Sequence, residues 1–339
     1  MATRTFLYLA DATGKCLLTL PSYTVKSKVS HTYTNLRGFK RWTDSFKQAE
    51  NPFKNLNKTK PTPVQLSKLL KPFGFTIAFT ASTIVGAAIW EYERVRKQTY
   101  RIVNHFRQFH SSKIGWRKDM ELWWGSLTEG QKMFVPICFL NVLVFLAWRI
   151  PAFQSTMLRY FCANPASSAT CWPMILSTFS HYSFLHLAAN MYVLHSFSTG
   201  IVAALGKEQF LALYLSSGVI SSFASHLYKV AFGFPGLSLG ASGAIMGVLG
   251  FVCTQYPDTR LAILFLPMYT FTAGMAIKVI MSLDLTGCLL GWKYLDHAAH
   301  LGGALFGIFW HSWGNAYIWQ KREPILTIWH EIRNPRKPQ

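Results

Sequence analysis

Seven stretches of this 339-residue chain are apolar over lengths that suit a bilayer, and they constrain its fold more than any other feature. The first, Phe73–Trp90, carries no charge over 18 residues. Six more follow, at about 133–150, 174–205, 208–230, 238–256, 259–282 and 297–313. A hydrocarbon core of about 30 Å takes roughly 20 apolar helical residues to cross. Inside it the backbone must satisfy its own hydrogen bonds, which favours helices. The expected fold is therefore all-α and polytopic: one prepended helix, a basic loop, then a six-helix core. Composition agrees, since only 14% of residues are charged, against about 25% in soluble domains. Trp148, Trp172, Trp292, Trp310 and Trp313 lie near run ends, where an aromatic belt is expected.

The net charge of +20 sits mainly outside these runs. Nothing resembles a nucleic-acid module, so the charge is assigned to membrane orientation and not to nucleic acid. Residues 1–71 hold 13 Lys/Arg against three acids and are rich in Ser and Thr. That is the pattern of a mitochondrial transit peptide, with the linker "NPFKNLNKTKPTP" at 51–63. A basic, Trp-containing interfacial loop is expected over 92–132, following an extra transmembrane helix at 72–91. The six-helix core is expected over 133–315, and a tail over 316–339. The six cysteines include no Cys-x-x-Cys pair; unpaired thiols are expected, and no zinc or redox motif is read.

Polar groups inside a bilayer mark function. Three clusters stand out: Ser242 near the start of run 238–256, His186 with Asn190, and His297 with His300. Counting spans, the second, fourth and sixth core helices enter from one side, so all three clusters fall at similar depth on one face. Gly243-x-x-x-Gly247 and Gly303-x-x-x-Gly307 permit close approach of the fourth and sixth helices. That brings the Ser242 hydroxyl toward an imidazole. His186 and Asn190, four apart, share a helix face and both donate hydrogen bonds, as a developing oxyanion requires.

The chemistry reads as acyl transfer. A serine is a weak nucleophile until a base takes its proton, and His300 is the expected base. The oxyanion would meet the Ser242 amide, His186 and Asn190. No third member is evident, so a Ser–His dyad is expected, with no metal or organic cofactor. Taken singly, each piece has a bland reading: Gly-x-Ser-Gly as packing, His186 and Asn190 as interhelical glue. The joint pattern is more specific than any member.

Taken together, "HLAAN" (186–190), "GASG" (240–243) and "AHLGG" (299–303) resemble the His-x-x-x-Asn, Gly-x-Ser-Gly and Ala-His-x-x-Gly motifs of the rhomboid intramembrane serine proteases. The similarity covers roughly 133–315. The prepended helix and basic N-terminus resemble the mitochondrial presenilin-associated rhomboid-like subgroup. The resemblance implies an inner-membrane protease, with single-span transmembrane proteins as substrates and the lipid bilayer as surroundings. It also implies a part in mitochondrial fusion, mitophagy and apoptosis control. By motif, Ser242 is nucleophile and His300 base, with His186, Asn190 and the Ser242 amide as oxyanion hole and Gly240 allowing close backbone approach. One departure is visible: Trp172 is followed by Pro173 where many members have Trp-Arg.

A metalloprotease is excluded because "HEIRN" at 330–334 lacks the second His of His-Glu-x-x-His. An aspartyl protease would need two acids buried in spanning helices. The main alternative is a catalytically silent rhomboid-like protein that binds membrane helices. A transporter is disfavoured because the polar groups cluster near one face, not the midplane. With the N-terminus in the matrix, seven spans would place the C-terminus in the intermembrane space.

Overall fold

The computed structural model describes residues 65–104, 115–234, 236–263 and 266–335. The transit peptide and most of the linker expected from the sequence lie outside the described residues. A 3-10 turn, Leu66–Leu69, leads into α1, Leu70–Asn104, which continues well past the apolar run that predicted it. Next come α2 (Trp116–Ser126) and α3 (Glu129–Ala147). α3 starts on a capping box: Thr128 accepts from the Gln131 amide at 3.1 Å, and Gln131 returns the bond to the Thr128 amide at 2.9 Å. Such reciprocal bonds satisfy two of the free donors at a helix start.

Two short helices, α4 (Gln154–Tyr160) and α5 (Cys171–Leu176), fill the loop after α3. The long helices α6 (Phe184–Leu205) and α7 (Lys207–Phe232) are joined at Gly206. Then come α8 (Ser242–Gln255), α9 (Ala273–Leu290) and α10 (His297–Phe309). α10 runs on in π-helical turns through Trp310–Trp319, and α11 is Glu323–Arg333. Among the described residues, five helices (the stretch containing α1, then α3, α6, α7 and α9) are long and apolar enough to cross a membrane.

The expected span at 259–282 is corrected. Two antiparallel strands stand there instead, β1 (Arg260–Ile263) and β2 (Leu266–Thr272), pairing Arg260 with Thr272 and Leu261 with Phe271. Pro267 interrupts the run, and Tyr269-Thr270-Phe271-Thr272 is rich in residues that favour strands. Helix begins only where the Thr272 hydroxyl caps the Met275 amide, at 3.3 Å.

α8 is shorter than its predicted run because Gly240, at φ +129°, holds a backbone conformation that breaks helix continuity. It is also the most enclosed helix. A side chain at Gly303 of α10 would collide with the Gly243 carbonyl, and one at Gly307 with the Gly247 carbonyl. On its other side, the hydroxyls of Ser221 and Ser217 on α7 fill the space at Gly243 and Gly247. The serine face of α7 is thus buried packing. The aromatic belt is also corrected in part. Trp172, Trp292 and Trp313 are exposed, but Trp148 and Trp310 are core residues at 2% and 1% exposure. Trp148 satisfies its indole by donating to the Ser180 hydroxyl at 2.9 Å.

Candidate active site

The polar residues expected to meet come from the first turns of three helices. Ser242 is the first residue of α8, His186 the third of α6 and His300 the fourth of α10. Backbone-on-backbone packing of α8 and α10 sets the key distance: His300 Nε2 lies 2.9 Å from Ser242 Oγ. The ring's other nitrogen, Nδ1, is 3.2 Å from Oδ1 of Asp284 on α9. The same oxygen is 2.7 Å from Nδ1 of His297, one turn back on α10. Asp284 is 4% exposed.

This arrangement fixes a tautomer. A buried carboxylate accepts from Nδ1–H, leaving Nε2 as a lone pair facing the Ser242 hydroxyl. The expected dyad therefore has a third group in line with it, which sequence reasoning did not place. Asp296, the nearer acid in sequence, faces elsewhere. It caps α10 by accepting from the Ala299 amide at 3.1 Å. Its other oxygen accepts from Ser225 at 2.6 Å, from Ser238, and from Lys229 at 3.3 Å. Burial works to raise this carboxyl, but the Lys229 ammonium and these donors outweigh it and hold it at about 2.

α8 begins without a side-chain cap, so amide donors of its first turn are free and the helix dipole favours negative charge beside Ser242. The His186 ring lies against Gly240: a Cβ there would stand 2.7 Å from Cε1 and 3.0 Å from Nε2. Any side chain at 240 would thus push His186 away from the first turn of α8. Asn190 is buried one turn further along α6, where one of its amide hydrogens bonds the His186 carbonyl at 2.8 Å. A second hydrogen remains on that nitrogen.

His181, a residue outside the three sequence clusters, supports the same turn. It is fully buried, and its Nε2 accepts from the Ala241 amide at 3.2 Å. Its ring meets His186 edge-on, with centroids 4.9 Å apart. Burial, then the neighbouring His186, lowers its pKa to about 3, so it is a neutral acceptor at physiological pH. Among the described residues, no group of three or more His, Cys, Asp or Glu is arranged to hold a metal ion. A groove of about 610 Å³ that includes Trp90, Trp124, Lys132 and Lys207 is separate and is lined by none of the residues above.

A family model described as the Rhomboid domain matches residues 168–314, which contain His181, His186, Asn190, Ser242, Asp284 and His300. The human presenilin-associated rhomboid-like protein, mitochondrial, is 53% identical over 285 residues, covering 82% of this chain and 75% of its own. Presenilin-associated rhomboid-like protein A, mitochondrial, of Danio rerio is 44% identical over 302 residues, covering 81% and 79%. The rhomboid protease GluP of Bacillus subtilis is 32% identical over 138 residues, covering 41% and 25%.

Proposed function

The chain belongs to the rhomboid family, in its presenilin-associated rhomboid-like branch, and from that membership we propose an intramembrane serine endopeptidase of the mitochondrial inner membrane. Its substrates are single-span transmembrane proteins, and its work is mitochondrial protein processing with consequences for fusion, mitophagy and apoptosis control. The observation that carries the catalytic reading is the 2.9 Å contact between Ser242 Oγ and His300 Nε2.

The Ser242 oxygen attacks the scissile carbonyl carbon while His300 Nε2 takes the hydroxyl proton. Asp284 accepts from Nδ1–H and stabilises the imidazolium that forms, without taking a proton itself. Negative charge develops on the former carbonyl oxygen, where the Ser242 amide, Asn190 and His186 donate to it. Collapse breaks the C–N bond, and His300 gives its proton to the leaving amine. Water then attacks the acyl-serine, losing a proton to His300. That proton returns to Ser242 as the new carboxyl product departs.

Cleavage of a tagged single-span substrate in liposomes tests this reading, comparing wild type with Ser242→Ala and His300→Ala. Cleavage by wild type and its loss in both variants is expected. Cleavage surviving in Ser242→Ala removes the assigned nucleophile. No cleavage by wild type across several substrates favours the catalytically silent helix-binding alternative. The matrix placement of the N-terminus is tested separately in mitoplasts, where a C-terminal tag should be open to added protease.

A further inference from the structure

The first apolar run ends at Trp90, and the next four residues are Glu91-Tyr92-Glu93-Arg94. Four consecutive polar side chains at the end of a membrane helix ordinarily serve as a solvated boundary. Here each has a partner on another element. Arg322, just before α11, donates to Glu91 at 2.7 Å. Tyr92 bonds His330 of α11. Glu93 accepts from the Trp329 indole at 3.1 Å and pairs with Arg333 at 3.3 Å. Arg94 pairs through Nε with Glu208 of α7 at 2.5 Å, and Glu208 is 1% exposed.

The sequence of α11 is built for this contact. Arg322, Trp329 and Arg333 fall at helical spacing on one face, with Ile325 and Leu326 half-buried between them. Leu326 packs against the main apolar core. Ile328 and Ile332, four apart on another face, are exposed. About two turns earlier on α1, Thr83 bonds Ser216 of α7 at 2.8 Å, one residue before the serine that packs on Gly247. The prepended helix is thus fixed to the core by α7 at Thr83, and just past its apolar run by α7 and α11.

We infer that α11, with Arg322 just before it, is a clasp: this C-terminal segment docks on Glu91, Tyr92 and Glu93 and holds the prepended helix in the body of the protein, independently of the covalent link through 105–114. The inference concerns assembly and stands apart from the catalytic reading. Electrostatic pairs across two elements give register and specificity as well as attraction. In a half-buried setting they are less screened than fully exposed pairs.

The test uses the full chain with a specific protease site placed within residues 105–114, cut after purification in mild detergent. The segment carrying α1 should remain with the core through gel filtration. Glu91→Arg should release it roughly tenfold faster, the change that about 1.4 kcal/mol of lost attraction produces. The double variant Glu91→Arg/Arg322→Glu should restore retention. Thermal unfolding of the uncut variants confirms that each is folded. Release of the segment from the cut wild type overturns the inference. So does unchanged retention in Glu91→Arg, which would leave α1 held by its packing on α7 alone.

Discussion

One oxygen of Asp284 serves two imidazoles of α10, standing 2.7 Å from His297 Nδ1 and 3.2 Å from His300 Nδ1. The shorter contact belongs to the histidine that does not touch Ser242. The carboxylate therefore ties α9 to α10 and contacts the His300 ring at once, and on the proposed mechanism the two roles separate by mutation. Asp284→Asn should lower kcat by about 10²- to 10⁴-fold with KM little changed, as expected when the base is left in the wrong tautomer. His297→Ala should lower the unfolding temperature yet leave kcat within about threefold of wild type, losing an interhelical tie worth roughly 1–2 kcal/mol. Equal losses of kcat in both variants would reduce Asp284 to a structural tie.

Gly303→Ala puts a methyl group into the Gly243 carbonyl. The α8–α10 pair must separate to admit it, and overpacking of this kind costs about 1–3 kcal/mol. Because the same crossing sets the Ser242–His300 distance, activity should fall with stability. Gly86→Ala on α1 is the contrast: nothing lies within 4 Å of the added carbon, so activity should hold and stability should stay level or rise by up to about 1 kcal/mol. Thermal unfolding and turnover of both variants, measured side by side, check the pair.

The acid limb of stability should depend on Asp296. Its carboxyl is held at about 2, below the ordinary 3.8, despite burial and because of Lys229 and the surrounding donors. A depressed carboxyl stabilises the fold fully above its ordinary value and loses that contribution as pH falls through its folded value. Asp296→Asn should therefore show a constant deficit in unfolding temperature from pH 7 to about 4, shrinking toward zero near pH 2. A deficit unchanged at pH 2 would assign the effect to shape, not charge.

Cys162 is 1% exposed, and burial pushes its thiol up to about 12. Only the thiolate reacts rapidly with alkylating agents. In folded protein at pH 8, mass spectrometry after maleimide treatment should find Cys162 unmodified and half-buried Cys171 labelled. Labelling of Cys162 at a comparable rate would mean that the 162–176 loop opens.

The meeting of Ser242 and His300 was legible in the sequence because it depends on helix parity and small-residue spacing, both of which are local patterns. Asp284 was not read as a partner. It lies 16 residues before His300 on a different helix, and no spacing rule relates residues across a loop. Its signal was available in another form, as the single acid inside the largely apolar 273–290 segment. The strand pair at 260–263 and 266–272 was missed because mean hydropathy does not distinguish a long apolar strand pair from a helix. Pro267 and the β-branched and aromatic residues after it carried the distinction. Trp148 and Trp310 show the limit of reading tryptophans by position alone, since their burial depends on which neighbours arrive.

The glycine seam between α8 and α10 has a further consequence. In most enzymes the spacing of catalytic groups is inherited from side chains, which change rotamer and respond to whatever surrounds them. Here the peptide planes of two helices rest on one another, with almost no compressible material between them. The ruler that sets Ser242 against His300 is main chain. Bilayer thickness, detergent and temperature should then alter how readily a substrate arrives long before they alter what happens to it once it is in place.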